Sequence, residues 1–250
     1  MKRIENAGRT IEVEFSDEDA RNIFLPLLRR FTHMRRAKGR RLLVMLAGPP
    51  ASGKSTLAAL LKALAEDTDG VIAPTVLGMD GFHWPQAYLR AHAVMRNGEL
   101  IPMTRVKGSP VSYDLQGLRQ AVARVAAGEI CLWPAYDRRI HDPVPDAIRV
   151  DGEIVLLEGN YLLLDEDGWR DLRAFADYTI SVDADHALLM ERVIARHMAG
   201  GLTREEAVQK AEENDRANMR LCREKCLPAD LALRIRTDGG YEADITERVK

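Results

Sequence analysis

Gly48-Pro49-Pro50-Ala51-Ser52-Gly53-Lys54-Ser55 follows the pattern G-x-x-x-x-G-K-[ST], and its residue types suit the binding of phosphate. A loop wrapped around phosphates aims its backbone N–H groups at their oxygens, and a helix starting at its end adds its dipole. Lys54 is placed to bridge the β- and γ-phosphates and Ser55 to offer a hydroxyl to Mg²⁺, so residues Gly48 to Thr56 form the candidate nucleotide site for ATP or GTP. The bland alternative is a glycine-rich turn with an exposed lysine.

Two carboxylates extend this chemistry. Glu158 closes the apolar run Val155-Leu156-Leu157, where it can hold a metal ion or its bound water, or simply cap the next turn. Asp80 follows another apolar run. Phosphoryl transfer to an alcohol needs the hydroxyl aligned with the phosphorus and its proton accepted, and a carboxylate suits both tasks. Asp80-Gly81 is also an ordinary turn dipeptide.

These residues need a scaffold that brings distant segments to one edge. Leu42 to Ala47 is apolar and too short for a helix, which predicts a strand buried on both faces. Leu57, Leu60, Leu61 and Leu64 then recur at helical spacing, giving strand, phosphate loop, helix. Further strands are expected at Val71–Met79, Ile130–Tyr136, Ile154–Leu157, Tyr178–Val182 and Leu231–Ile235. Helices are expected after Asp114, whose side chain suits an N-cap, over His186–His197, and after Thr203, which forms a capping-box pattern with Glu206. A first helix should run from about Ser16 to Lys38, kinked or restarted by Pro26. Strands alternating with helices imply an α/β fold in three layers, a mostly parallel sheet with helices on both faces and ligands at the carboxyl ends of the strands. One domain over residues 1–250 is the economical reading, with a core over about 41–236, an irregular stretch from Phe82 to Pro110, and a small lid over about 192–205 near Gly200-Gly201.

The 250 residues are 46% hydrophobic and carry a net charge of -2, which excludes a largely disordered chain and a global positive field for nucleic acid. Seven basic residues between Arg29 and Arg41, with no acid among them, read as a solvated face or, less simply, an anion patch. No run approaches the roughly 20 apolar residues of a membrane span, Met1 to Glu14 contain no apolar signal segment, and three cysteines are too few and too irregular for a disulfide framework. The expectation is a cytoplasmic protein with buried thiols, no nucleic-acid or membrane partner, and a homodimer left open.

Four ordered blocks carry a resemblance: Met79-Asp80-Gly81-Phe82-His83, Gly108-Ser109-Pro110-Val111-Ser112-Tyr113-Asp114, Pro134-Ala135-Tyr136-Asp137 and Leu157-Glu158-Gly159-Asn160. Together with the phosphate loop, over about residues 42–236, they resemble the phosphoribulokinase/uridine kinase family of P-loop kinases. The spacing is nearest to its pantothenate kinase-like members and to a group of candidate fructose-transport-system and nucleoside or nucleotide kinases. The resemblance implies ATP and Mg²⁺, with Asp80 as base, Lys54 and Ser55 on phosphate and metal, and Glu158 in the metal site. It also implies acceptor-side roles for Phe82, His83, Asp114, Tyr136 and His141. Relatives of this kind close an arginine-bearing lid, and Arg192 and Arg196 share one helix face just before Gly200-Gly201.

Trp84 and the glycine after the base depart from the pattern of uridine kinases. Arg105 and Lys107 could receive a carboxylate or phosphate on the acceptor, or be plain loop charges. The expected activity is transfer of the γ-phosphoryl of ATP to a hydroxyl of a small metabolite that is pantothenate-, nucleoside-, sugar- or sugar-acid-like. The alternative is a nucleotide-hydrolysing switch, although no N-K-x-D guanine signature occurs.

Overall fold

The structure is a computed structural model and describes residues 2–6, 9–13, 15–96 and 98–245. Among the described residues the chain opens with a hairpin, β1 (Lys2–Asn6) and β2 (Arg9–Val13). A long helix follows as α1 (Asp17–Asp19), a π-turn (Ala20–Phe24) and α2 (Leu25–Lys38). Pro26 does not break this helix. It lacks the N–H that would close an ordinary turn, and the π-turn just before it absorbs the mismatch, with Leu25 N–H bonded to the Ala20 carbonyl.

β3 (Leu42–Ala47) leads through the phosphate loop into α3 (Lys54–Glu66), and β4 (Thr75–Gly78) leads into a 3₁₀ turn (Met79–Phe82) carrying Asp80. The irregular stretch contains α4 (Gln86–Ala91), the hairpin β5 (Ala93–Arg96) and β6 (Glu99–Pro102), and a 3₁₀ turn (Met103–Val106). Then come α5 (Leu115–Ala126), β7 (Cys131–Asp137), β8 (Asp142–Val150), β9 (Ile154–Gly159) and β10 (Tyr178–Ala184). The chain continues with α6 (His186–Ala199), α7 (Arg204–Lys210), a second π-turn (Ala211–Asp215), α8 (Arg216–Glu224), β11 (Leu231–Ile235) and β12 (Tyr241–Ile245).

The central sheet runs β12-β11-β10-β3-β9-β4 and is parallel except for β12. Its strands alternate between two cores, as a sheet covered on both faces requires. Leu42, Val44, Leu46, Ile154 and Leu156 pack on one face with Leu57, Leu60, Leu61, Leu189 and Val193 of α3 and α6. Leu43, Met45, Val155 and Leu157 pack on the other with Leu118, Val122 and Val125 of α5 and with Trp133. This is the expected three-layer α/β fold.

The strand expected at Ile130–Tyr136 forms, but outside the central sheet. β7 pairs antiparallel with β8, with a register shift at Pro134, which has no N–H for the ladder. The hairpin docks on the end of β4 instead. Trp133 is fully buried and its Nε1–H donates to the Gly78 carbonyl at 2.9 Å.

The basic segment is a solvated face only in part: Arg29, Arg30, Arg36 and Arg40 are exposed, as expected, while Arg35, Lys38 and Arg41 are drawn into the protein. Arg35 pairs with Glu153 at 2.9 Å, Lys38 pairs with Asp177, and Arg30 lies 4.9 Å from the Tyr178 ring centroid. Arg41 is only 6% exposed and donates to the carbonyls of Gly152, Glu129, Val125 and Val150. It thereby ties the C-terminus of α5 to the entrances of β3 and β9. Arg41→Ala removes charge-assisted bonds and strands buried carbonyls, so it should lower unfolding free energy by about 2–4 kcal/mol in urea titrations, against about 0.5 kcal/mol or less for the exposed Arg40→Ala.

Candidate active site

The phosphate loop turns where glycine is required. A Cβ on Gly48 would lie 2.1 Å from the Val182 carbonyl oxygen, so the loop can pass close to β10 only without a side chain there. Gly53 adopts φ +79° just before α3, whose first turn presents free N–H groups to the loop. Lys54 is 6% exposed, and its Nζ donates to the Pro49 carbonyl at 2.9 Å and to Ser52 Oγ at 3.4 Å. Burial lowers its pKa despite the opposing pull of Glu158 and Asp80. Its donors are held by the loop's own neutral acceptors, an arrangement that an anion would complete.

The Ser55 hydroxyl, in the first turn of α3, donates to Glu158 Oε1 near the end of β9 at 2.7 Å. Burial raises the Glu158 pKa, Asp80 raises it further, and Lys54 and Ser55 oppose the rise. Two hard oxygen donors side by side, one a carboxylate that lacks its full counter-charge, fit Mg²⁺. Among the described residues no cluster of three or more His, Cys, Asp and Glu side chains forms a closed protein cage for a metal. That also suits an ion shared with phosphate oxygens.

Asp80 stands on the turn after β4, at the same edge, with its side chain 38% exposed to the cleft. Burial pushes its pKa up, but His83, Arg138, the Tyr113 hydroxyl and Lys54 together outweigh that, and the net shift is downward. The Tyr113 hydroxyl donates to Asp80 Oδ1 at 3.1 Å, and Arg138 lies 3.7 Å from Oδ2. His83 Nδ1–H donates to the Ser112 carbonyl at 3.2 Å, leaving Nε2 3.9 Å from Asp80. Burial lowers the His83 pKa. Asp80 is thus held ionised beside a Glu158 biased towards its neutral form.

These groups line a cleft of about 1330 Å³, room enough for a nucleotide and a second substrate. Pro50, Ala51, Gly53, Lys54, Ser55, Thr56, Asp80, His83, Arg105, Lys107, Tyr136, His141, Glu158, Arg192 and Arg196 all reach it. Gly48, Pro49 and Ser52 support the loop from beneath. Phe82 and Asp114 do not line the cleft. Phe82 packs edge-on against Trp133 at 4.9 Å, and the Asp114 carboxylate is taken up capping α5, accepting from Gly117 N–H at 2.9 Å. The neighbouring Tyr113 is the member of that block that meets Asp80.

Trp84 also lies off the cleft, stacked on Tyr88. Glycine follows Asp80 because a Cβ on Gly81 would fall 2.2 Å from the Pro134 carbonyl oxygen of β7. Arg196 pairs with Asp215 at 3.6 Å, and His197 Nε2–H donates to the same carboxylate at 2.7 Å. Cys222 and Cys226 are free, their thiols pushed up by burial, Cys226 to about 11.

Arg138 escapes a reading of spacing because Arg139 beside it has the same side chain. Arg139 folds back on Asp137 at 2.7 Å, while Arg138 reaches Asp80.

The family model "Phosphoribulokinase / Uridine kinase family" matches residues 43–227. The chain belongs to the phosphoribulokinase/uridine kinase family. Within this kinase family it is 36% identical over 235 residues to an uncharacterized protein, YggC, of Escherichia coli K12, covering 94% of this chain and 95% of that one. It is 30% identical over 209 residues to a pantothenate kinase of Pasteurella multocida, covering 75% of this chain and 63% of the relative. The solved structure of a candidate fructose transport system kinase from Silicibacter sp. TM1040 superposes with a TM-score of 0.69 at 32% identity, covering 81% of this chain and 98% of that one.

Gly48→Ala should force the loop off β10. Nucleotide affinity should fall by about tenfold to a hundredfold, as read by calorimetric titration of a non-hydrolysable ATP analogue with Mg²⁺.

Proposed function

We propose that the protein is an Mg²⁺-dependent kinase that moves the γ-phosphoryl of ATP to a hydroxyl group of a small metabolite. The observation that carries this reading is Asp80, ionised and open to the cleft at the sheet edge that also holds Lys54 and the Ser55–Glu158 pair. A group meant only to position water for hydrolysis has no need of a cleft that extends from the phosphate loop past Asp80 to His83, Tyr136, Lys107 and His141.

Asp80 would accept the proton of the acceptor hydroxyl as that oxygen bonds to the γ-phosphorus. The bond from the γ-phosphorus to the bridging oxygen breaks, and ADP leaves with its electron pair. Lys54, Arg192 and Arg196 would meet the charge on the equatorial oxygens, the arginines from a lid helix in the same chain. Mg²⁺, held through Ser55 and Glu158, supplies charge neutralisation at the phosphate oxygens. Tyr113 and Arg138 keep Asp80 aimed and unprotonated.

The acceptor class spans pantothenate-like, nucleoside-like and sugar-like hydroxyl compounds. Three free cysteines fit work in the cytoplasm, and among the described residues no helix is long and apolar enough to cross a membrane.

Asp80→Asn should cut acceptor-dependent ADP formation by about 10²–10⁴ while leaving nucleotide affinity nearly intact. Unchanged turnover in that variant, or ATP hydrolysis indifferent to every acceptor, would reject the kinase reading. Arg138→Met removes a cation that lowers the Asp80 pKa. The folded-state pKa of Asp80 then rises, so the acid limb of the kcat/KM profile should move to higher pH while activity well above that limb is kept.

A further inference from the structure

We propose that the acceptor is an anion, a hydroxy compound bearing a carboxylate or phosphate monoester that Lys107 receives with Arg105 and His141. This deepens the kinase reading above and rests on it.

Lys107 is one of the cleft's cations that no carboxylate answers. Its Nζ donates to the His141 carbonyl at 2.9 Å and lies 5.1 Å from the Tyr136 ring centroid. Among the described residues no carboxylate is within ion-pair distance of it. Three other cations of the cleft are answered by carboxylates: Arg138 faces Asp80, Arg196 faces Asp215, and Arg105 loosely faces Glu213 at 3.9 Å.

Lys107 is also held in place. Its carbonyl accepts from Asn214 Nδ2 at 2.8 Å, so the second π-turn fixes its backbone while the loop before β8 fixes its side chain. The His141 carbonyl that anchors Nζ accepts a second bond from Gln86 Nε2 at 3.4 Å. The nearest acid, Asp142, has Oδ1 engaged by Gln86 N–H at 2.7 Å.

The electrostatics agree with this geometry. Burial lowers the Lys107 pKa and Lys210 lowers it further, with Asp142 and Asp80 opposing. An anion at Lys107 would restore the charged form that burial disfavours. Lys107, Asp80 and Lys54 line the same cleft, so an acceptor whose hydroxyl meets Asp80 can reach both the phosphate loop and Lys107. The rings of His83, Tyr113 and Tyr136, packed 3.9 and 5.4 Å apart in sequence from His83, form the wall along which its carbon skeleton would lie. A neutral sugar or nucleoside would strip water from Lys107 and return no charge.

Matched pairs differing only in the charged end test this directly: glycerate against glycerol, pantothenate against its alcohol, and ribose 5-phosphate against ribose. Each is titrated calorimetrically into the full chain saturated with Mg²⁺ and a non-hydrolysable ATP analogue, and each is assayed with ATP for acceptor-dependent ADP. At least one anion should bind about tenfold or more tighter than its neutral partner, and Lys107→Met should abolish that preference while analogue affinity holds. The carboxylate and phosphate arms identify which anion is preferred. Equal or tighter binding by every neutral partner, no binding by any anion, or a preference that survives Lys107→Met overturns the proposal. If the anion preference and its loss in Lys107→Met appear without any phosphoryl transfer, the anion site stands and the kinase reading falls.

Discussion

The site depends on one ammonium group, that of Lys54, buried at the carboxyl edge of a parallel sheet. Taking a cation out of water costs several kcal/mol unless its surroundings answer the charge. Here they answer it only in part: a loop carbonyl and a serine hydroxyl accept its hydrogens, and burial still wins over the pull of Glu158 and Asp80. The deficit is what makes the loop an anion receptor rather than a closed ion pair. It also dictates the neighbourhood. The loop can bring Lys54 there only because Gly48 lets the backbone pass against Val182 of β10, and because β9, on the other side of β3, ends in Glu158 beside Ser55.

Around that ammonium two carboxylates are driven in opposite directions, and the proposed division of roles rests on that. Glu158 receives one hydroxyl and feels both burial and Asp80, so its charged form is disfavoured. Asp80 is open to the cleft and has Tyr113, Arg138 and His83 around it, so its charged form is favoured. Neighbouring titratable groups with divergent affinities for a proton mark where metal binding and proton acceptance separate.

What could be read from residues alone was whatever local chemistry decides. The buried run Leu42–Ala47, the loop, the Asp114 cap and the Thr203–Glu206 box all form as their types demand. Choices of partner were not legible. The apolar pattern of β7 is that of a strand but does not say which sheet it joins. The cations between Arg29 and Arg41 find acceptors contributed from as far as 139 residues away, Lys38 on Asp177 and Arg40 on Ala126 among them, and nothing adjacent to them signals this. In the Tyr113-Asp114 pair the carboxylate looks like the chemical group. Yet capping α5 consumes it, and that same commitment leaves the phenol facing the base.

The second π-turn ties the two halves of the cleft together. An extra residue in a helical turn rotates its side chains relative to those of an ordinary helix, and such turns recur at functional positions. Here three successive residues of the Ala211–Asp215 turn reach different partners. Asp215 holds His197 and Arg196 of the lid helix, Asn214 holds the Lys107 backbone, and Glu213 faces Arg105. Gly200-Gly201 is therefore not a free hinge, because the segments it joins are already bridged by a buried carboxylate. Leaving Asp215 buried and unpaired would be costly, so α6 and the turn should move as one body. Because Asn214 is next in chain to Asp215, any such movement shifts an arginine on the nucleotide side and a lysine on the acceptor side together.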